Sequence, residues 1–465
     1  MGNLSPAREA AFRILLQVEK GQAHSDDLLR ARFVSRMMPV DRNLTTALVL
    51  GTLRWQIALD REVKQYLAKP NAKLDTEVRI ALRLGALQLL RMERIPAHAA
   101  IAECVELVKR AGHSFAARMV NAVLRKLAQA QADALPAHNH SEQEKTEAVT
   151  PTDLAHAFAH PAWLVERWVR QYGPAQTQAI CAHGQQQAAL HVRMVHPDVA
   201  EQLRGEGIQL APAELLADAR TLIAGDLVRT NAFHAVQVRL QDEGSQLVAE
   251  LAAACAPAGT QKICDSCAAP GGKTLILAER HNKAQITACE LSAPRAEELA
   301  KRLAPLAPRV HCRACDASTL AAGEAFDLIL VDAPCSGTGT MGRNPEIRHR
   351  LQPEEFARQA ERQYAILAAA LGAVRVGGRV LYSTCSLEPE ENEDVVARAL
   401  AAQHNVRQIS LAAAIDTLDA RGLLTEGTAH TLQAAFTPEG ALRLLPGSSP
   451  TDGFFMALFE CVAEQ

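Results

Sequence analysis

The sequence predicts a three-part α/β protein whose C-terminal part is a doubly wound parallel sheet. Three observations carry that expectation. From about Gln241 onward, apolar strand-like runs alternate with amphipathic helical ones, the pattern of a parallel sheet with helices on both faces. Residues 1–130 repeat apolar side chains at helical spacing, as in Ala11, Ile14, Leu15 and Val18 or Ala100, Cys104, Leu107 and Val108, with almost no alternation of period two. Between these parts, residues 131–152 are polar and read as a linker, and residues 153–240 mix short strands and helices as a small α+β region.

The 465 residues, with 48% hydrophobic and 22% charged side chains, suit a globular chain of about three domains of roughly 150 residues each. The N-terminal stretch spreads its charges through an amphipathic pattern and lacks the basic-then-apolar order of a signal peptide. No apolar run approaches the roughly 18 residues of a membrane helix, so a soluble, cytoplasmic monomer without a membrane partner is expected. Eleven cysteines in so long a chain, several of them in apolar runs, read mostly as packing residues rather than a disulfide scaffold. The net charge of −3 conceals a division. Residues 1–130 carry 21 Lys and Arg against 12 Asp and Glu, while the remainder carries 28 against 40. A basic head on an acidic body suits a polyanion at the head.

In chain order, the helices of the head are separated by breakers such as Lys69-Pro70-Asn71 and Ile95-Pro96. A helix is expected over Pro161–Tyr172, with Trp163 and Trp168, followed by short elements around turns such as Glu206-Gly207. The alternating part then predicts a strand at Lys262–Asp265, a helix at Thr274–Arg280, a strand at Gln285–Cys289 and a helix at Pro294–Leu303 opened by its proline. A strand at Val310–Cys312 and the buried strand Phe326–Val331 come next, then a long helix Phe356–Val374. A strand Arg379–Ser383, a helix Glu391–Ala401 and a final strand Phe454–Cys461 complete the list. Ligands in such sheets bind at the carboxyl ends of the strands, where every motif below falls.

Directly after the first of these strands comes Cys267-Ala268-Ala269-Pro270-Gly271-Gly272-Lys273. Its small residues let backbone approach a ligand, and the helix that follows offers free N–H groups. The spacing is neither GxGxxG nor the P-loop pattern, which argues against a dinucleotide or a nucleoside triphosphate. Glu290 ends the next strand, where an acidic residue commonly accepts from ribose hydroxyls, and Asp316 holds the corresponding place after the third, where it could accept from an adenine amino group. Asp332-Ala333-Pro334-Cys335-Ser336-Gly337-Thr338-Gly339 closes the fourth strand, and Ser383-Thr384-Cys385-Ser386 closes the fifth, followed by Glu388-Pro389-Glu390-Glu391-Asn392. Two cysteines and an acid at neighbouring ligand-side strand ends suit covalent catalysis by a thiolate with acid and base assistance. The pairs Cys264-x-x-Cys267 and Cys312-x-x-Cys315 imitate halves of a zinc site. A doubly wound sheet would put another strand between them, so no metal is expected.

Taken together and in this order, CAAPGGK, DAPCSGTG and STCSLEPEEN resemble the NOL1/NOP2/Sun family of RNA cytosine-5 methyltransferases over about residues 155–465. The head resembles a NusB-like RNA-binding domain through Asp41-Arg42, Gly51-Thr52-Leu53-Arg54-Trp55, Leu59-Asp60, Ile95-Pro96 and Asn121-Ala122-Val123-Leu124-Arg125. The resemblance implies a Rossmann-like domain that binds S-adenosylmethionine and methylates carbon 5 of a cytosine, with bacterial 16S ribosomal RNA as the partner. It implies that the 267–273 loop wraps the methionine part of the cofactor, that Glu290 (where the family usually has Asp) holds the ribose, and that Asp316 meets the adenine. Asp332 would sit by cofactor and base, Cys385 would be the nucleophile, and Cys335 would help to release product. Carbon 5 is too weak a nucleophile to take a methyl group unaided, and thiolate addition at carbon 6 turns it into an enamine that can. The family's Arg-Val-Asn tripeptide is matched only by Val192-Arg193-Met194-Val195, which keeps the arginine without the asparagine, so no RNA contact is carried over there. Transfer RNA as substrate and a catalytically idle assembly factor are the alternative readings.

Overall fold

The computed structural model describes residues 4–134 and 150–463, and most of the expected linker, 135–149, lies outside them. The chain forms two compact units, residues 1–186 with 341–350, and residues 187–340 with 351–465.

The first unit is helical because its apolar residues recur on one face of each helix. Helix Pro6–Glu19 has Ser5 as its cap and Pro6 in its first turn, and buries Ala7, Ala11, Ile14, Leu15 and Val18. Helices Pro39–Tyr66, Ala97–Arg110 and Ala117–Ala134 pack around Thr76–Arg91, which is buried almost throughout from Val78 to Gln88. Each Leu or Ile fully buried there contributes roughly 1.5–3 kcal/mol. Gly85 lets helix Ala117–Ala134 approach closely, since a Cβ there would lie 2.5 Å from Leu124 Cδ1 and Leu124 would have to shift. The helix expected at 161–172 runs over Ala162–Gln185, broken at Gly173 (φ 77°) before Pro174, so the breaker separates two helical segments rather than ending the element.

The second unit holds two sheets. Strands β1 (His191–Met194), β2 (Gln209–Pro212), β3 (Ala219–Ala224) and β4 (Val238–Leu240) form an antiparallel sheet in the order β2-β3-β1-β4. The larger sheet contains β5 (Lys262–Asp265), β6 (Gln285–Glu290), β7 (Val310–Ala314), β8 (Phe326–Asp332), β9 (Val374–Thr384), β10 (Val406–Ile409), β11 (Leu442–Leu444) and β12 (Phe454–Cys461). Its order is β10-β12-β9-β8-β5-β6-β7, with β5 to β9 parallel, β12 antiparallel between β9 and β10, and β11 paired to β12. Strand alternation sends Ile263, Ile286, Leu328 and Leu330 to a core shared with helix Glu243–Ala254, while Cys264, Ile329, Val331 and Tyr382 face helix Pro353–Ala373. These layers make the doubly wound, Rossmann-like architecture. β6 lies between β5 and β7 and so separates the two Cys-x-x-Cys pairs. Among the described residues, no helix is long and apolar enough to cross a membrane, and no group of His, Cys, Asp or Glu is placed to hold a metal ion.

Arg193 of β1 is buried and pairs with Glu250 at 2.8 Å and Glu279 at 3.2 Å. Arg239 of β4 also pairs with Glu279, at 2.7 Å. Arg193 therefore acts as an internal clasp within this unit.

Candidate active site

The carboxyl ends of β5 to β9 carry the site. β5 ends in Asp265 and turns through 266–271 into helix Gly272–Arg280. Gly271 has a φ of 101°, and a Cβ on it would lie 2.7 Å from Leu299 Cδ1, so only glycine makes this turn. The loop is fastened from outside: Ala268 N donates to Cys289 O at 2.8 Å, and Arg302 Nη1 donates to Pro270 O at 2.8 Å. Asp265 is buried, with Oδ2 accepting from Thr274 Oγ1 at 2.6 Å, a further bond from the Cys267 backbone, and Oδ1 without a close partner among the described residues. Burial pushes its carboxyl up to about 6.

Glu290 ends β6, buried, its Oε1 accepting from Ser292 N at 2.9 Å. Asp316, exposed after β7, caps a short turn through Oδ1, which accepts from Ser318 N at 2.9 Å and Ser318 Oγ at 2.8 Å. These bonds hold its carboxyl below the ordinary range. Asp265, Glu290 and Asp316 thus keep spare carboxylate oxygens at three strand ends, beside the N–H groups of a helix start. That donor and acceptor set fits a nucleoside that carries hydroxyls, an amino group and an ammonium.

The other half of the site is built on β8 and β9. Asp332 receives Lys273 Nζ at 2.7 Å and Ser383 Oγ at 2.8 Å. Burial pulls the Lys273 ammonium down, but Asp332, Asp265 and Cys385 outweigh it and hold it above its ordinary value. Cys335 Sγ and Cys385 Sγ stand 3.4 Å apart, both partly accessible. The hydrogen bond with Cys385, burial, the charge of Cys385 and then that of Glu391 push the Cys335 thiol well up. Backbone bonds align the two loops: Ala333 N donates to Ser383 O and Gly339 N to Cys385 O, each at 2.9 Å. Gly339 allows this approach, because a Cβ there would lie 2.8 Å from Cys385 O.

Comparison with known proteins gives the family. Residues 252–460 match the family model of the 16S rRNA methyltransferase RsmB/F, residues 5–129 that of the NusB family, and residues 160–225 that of the ferredoxin-like domain of the same methyltransferases. The chain is 35% identical over 462 residues to the probable ribosomal RNA small subunit methyltransferase B of Bacillus subtilis (strain 168), covering 97% of each chain. The chain belongs to the RsmB/F methyltransferase family. It is also 34% identical to the ribosomal RNA small subunit methyltransferase B of Pseudomonas putida, over 87% of this chain and 91% of the relative. The solved structure of PH0851 shares the fold, with a TM-score of 0.76 and 22% identity over 99% of both chains. The RsmB/F family depends on S-adenosylmethionine, and the cradle at β5 to β7 has the acceptors such a cofactor needs.

Within this RsmB/F chain, Cys267, Ala268, Ala269, Pro270, Gly271 and Gly272 form the cradle loop with Glu290 and Asp316 at the neighbouring strand ends. Lys273, expected with that loop, instead gives its ammonium to Asp332, on the side of Cys385 and Cys335. Sequence reasoning missed Asp265, although the rule that found Glu290 and Asp316, an acid at a parallel strand end, applies to it equally. It also gave no role to Glu391, Gln363 or Asn392. Asn392 Oδ1 accepts from Thr384 Oγ1 at 2.6 Å, and its Nδ2 donates to Ser386 O at 2.9 Å, which braces the residues on either side of Cys385.

Proposed function

We propose that this chain transfers a methyl group from S-adenosylmethionine to carbon 5 of a cytosine in 16S ribosomal RNA, in the cytoplasm, through a covalent bond to Cys385. The observation that carries the reading is the 3.4 Å approach of two thiols beside the Lys273–Asp332 pair. Single nucleophiles are common, but a second thiol in contact with the first suits a reaction that needs a nucleophile and a separate proton acceptor. S-adenosylmethionine, when bound, supplies the electrophilic methyl group. Cys267 to Gly272, Glu290 and Asp316 hold it, and Asp265 offers its unpaired oxygen to the ammonium end.

Cys385 adds as thiolate to carbon 6 of the cytosine, with Asp332 accepting from the base. Carbon 5 then takes the methyl group. Cys335 removes the carbon 5 proton, the carbon 6–sulfur bond breaks, and Cys385 is regenerated. The basic head supplies non-specific attraction to the RNA. The test is to incubate the protein with 16S ribosomal RNA and methyl-labelled cofactor, digest to nucleosides and separate them. Label in 5-methylcytidine is expected. Label in another nucleoside, in transfer RNA alone or in no RNA would overturn the reading.

A further inference from the structure

Glu391 lies in the short turn Pro389–Glu391 after β9 and is wholly buried. Its carboxylate meets no cation among the described residues. Oε2 accepts from Ser336 N and from Gln363 Nε2, both at 2.8 Å, and Oε1 accepts from Ser386 Oγ at 2.9 Å. Ser336 and Ser386 are the residues immediately after Cys335 and Cys385, and their hydroxyls lie 3.1 Å apart. Gln363 Nε2 also donates to Pro334 O at 2.9 Å, so the residue before Cys335 is held by the same group. One carboxylate therefore ties together both cysteine loops.

A buried carboxylate is a costly way to join two loops, because an amide offers similar bonds without the desolvation of a charge. The charge itself then calls for a role. We propose that Glu391 is the positioning residue that keeps the proton on Cys335 and leaves the negative charge to Cys385. Besides the two thiols, the charged and titratable groups that act here are Glu391, Tyr382 from β9, the Lys273–Asp332 pair, and Cys267 from the β5 loop, which itself feels Asp265 and Arg362 of helix Pro353–Ala373. The Asp332 charge is offset by Lys273, which also lies toward Cys385. The Glu391 charge is not offset, and it bonds to the backbone next to Cys335. Ionising Cys335 would place a second anion against it, whereas ionising Cys385 places an anion toward an ammonium. The Cys335 thiol then donates across the 3.4 Å contact to the Cys385 sulfur.

The arrangement also orders the later steps. When the Cys385 thiolate adds to carbon 6 it becomes a thioether and its charge passes to the ring. The proton held on Cys335 moves to the ring nitrogen, which leaves Cys335 as the thiolate that next removes the carbon 5 proton. As the carbon 6–sulfur bond breaks, Cys385 departs as thiolate and the ring nitrogen releases its proton to water.

The inference rests on the reading of Cys385 as the nucleophile, and it is tested without RNA. The full-length protein and its Glu391→Gln variant are alkylated with iodoacetamide across pH, and each thiol is followed by mass spectrometry of its peptide. Gln fits the same bonds, with its oxygen toward Ser336 and Gln363 and its amide nitrogen toward Ser386, so the variant removes the charge and keeps the scaffold. In the parent, Cys385 should react with a lower pH midpoint than Cys335. In Glu391→Gln the Cys335 midpoint should fall by about one unit, a roughly tenfold faster labelling at fixed pH below it. A Cys335 midpoint unmoved in the folded Glu391→Gln variant would overturn the proposal. A second comparison uses Cys385→Ser. If Glu391 sets the order, Cys335 in this background still titrates high and drops further when Glu391→Gln is added. If Cys385→Ser alone restores an ordinary thiol, Glu391 has no such role. Absence of 5-methylcytidine in the RNA assay would defeat the functional reading and leave these labelling results standing.

Discussion

Among the described residues, the two compact units each bury a charged side chain with no ion-pair partner, Arg348 in the first and Glu391 in the second, and they satisfy it differently. Arg348 gives its guanidinium to backbone carbonyls: Arg54 O at 3.1 Å, Gly184 O at 3.0 Å, and Ala159 O and Met341 O at 3.4 Å. Arg54 adds a second buried guanidinium that donates to Gly342 O at 2.9 Å. Burial, with Arg54 nearby, pushes Arg348 down to about 9. Glu391 is met partly by backbone N–H and partly by the side chains of Gln363 and Ser386, which can turn. Fixed carbonyls demand donors, and only Arg reaches four of them at once. Adjustable donors tolerate a neutral amide. Bonding is therefore the whole role of Arg348, while at Glu391 the charge is separable from the bonds.

That contrast can be broken. Arg348→Met should destabilise the first unit by about 3 kcal/mol, since Gly184 O, Ala159 O and Met341 O lose this donor, at roughly 1–3 kcal/mol for each left unpaired, while Arg54 O keeps Gln185 Nε2 at 3.3 Å. Glu391→Gln should cost its own unit only about 1 kcal/mol. Equal losses in urea denaturation of the two variants would erase the distinction.

The units should also answer acid with opposite slopes. In the first, burial pushes His349 down to about 4 from 6.5. The unfolded chain binds that proton first, so this contribution is full above pH 6.5 and is lost as pH falls toward 4, with a size of about 3 kcal/mol. In the second, Asp265 is raised to about 6 from 3.8. The folded chain binds this proton first, so stability is gained as pH falls from 6 toward 4, again by about 3 kcal/mol. Relative to the parent, Asp265→Asn should therefore stabilise at pH 7 and be neutral near pH 4, while His349→Gln should remove the acid loss. Melting of both variants across pH checks the signs, and parallel slopes would contradict them.

Two smaller effects sharpen the division of labour. Glu290→Ala should weaken S-adenosylmethionine binding by roughly 1–3 kcal/mol, the cost of leaving buried polar groups unpaired. Unchanged affinity in calorimetry would remove Glu290 from the cradle. Replacing the exposed Arg94, Arg118, Arg125 and Lys126 of the head by Gln should reduce the salt slope of RNA binding by roughly 0.9 for each residue that contacts a phosphate. An unaltered slope would place the RNA elsewhere.

The sequence made the site's strands legible and its bracing illegible, for physical reasons that particular residues show. Leu328–Val331 is a short continuous apolar run ending in an acid, the pattern of a buried strand that reaches a ligand-side edge. β9 begins at Val374, five residues before the expected Arg379, because Gly377 and Gly378 read as a break. They instead carry the strand through an irregularity in its pairing with β8, with Gly377 at a φ of 74°. β1 is buried at every position, so it lacks the alternation that marks a half-exposed strand. Residues 341–350 mislead most. Met-Gly-Arg-Asn-Pro-Glu-Ile-Arg-His-Arg lies between motifs of the catalytic part in sequence, yet it packs as part of the first unit with Glu346 and Arg348 only 2% exposed. No local pattern signals that, because the partners are distant in sequence, Ser25 for Glu346 and the carbonyls of Arg54 and Gly184 for Arg348. Glu391 escaped for the same reason: its role lies in bonds to Ser336 and Gln363, not in its own neighbours.

One denaturing gel tests whether Cys385 attacks and Cys335 assists. Cys335→Ala and Cys385→Ala variants are each incubated with 16S ribosomal RNA and S-adenosylmethionine, then denatured. Cys385→Ala has no nucleophile and should form no adduct. Cys335→Ala keeps the nucleophile, so it should still add and methylate, more slowly without the Cys335 proton, and should lose the carbon 5 proton more slowly still, so protein should accumulate in a retarded band that nuclease removes. The reverse pattern would exchange the two cysteines. Methylation that proceeds in Cys385→Ala, with no adduct in either variant, would contradict the covalent mechanism itself.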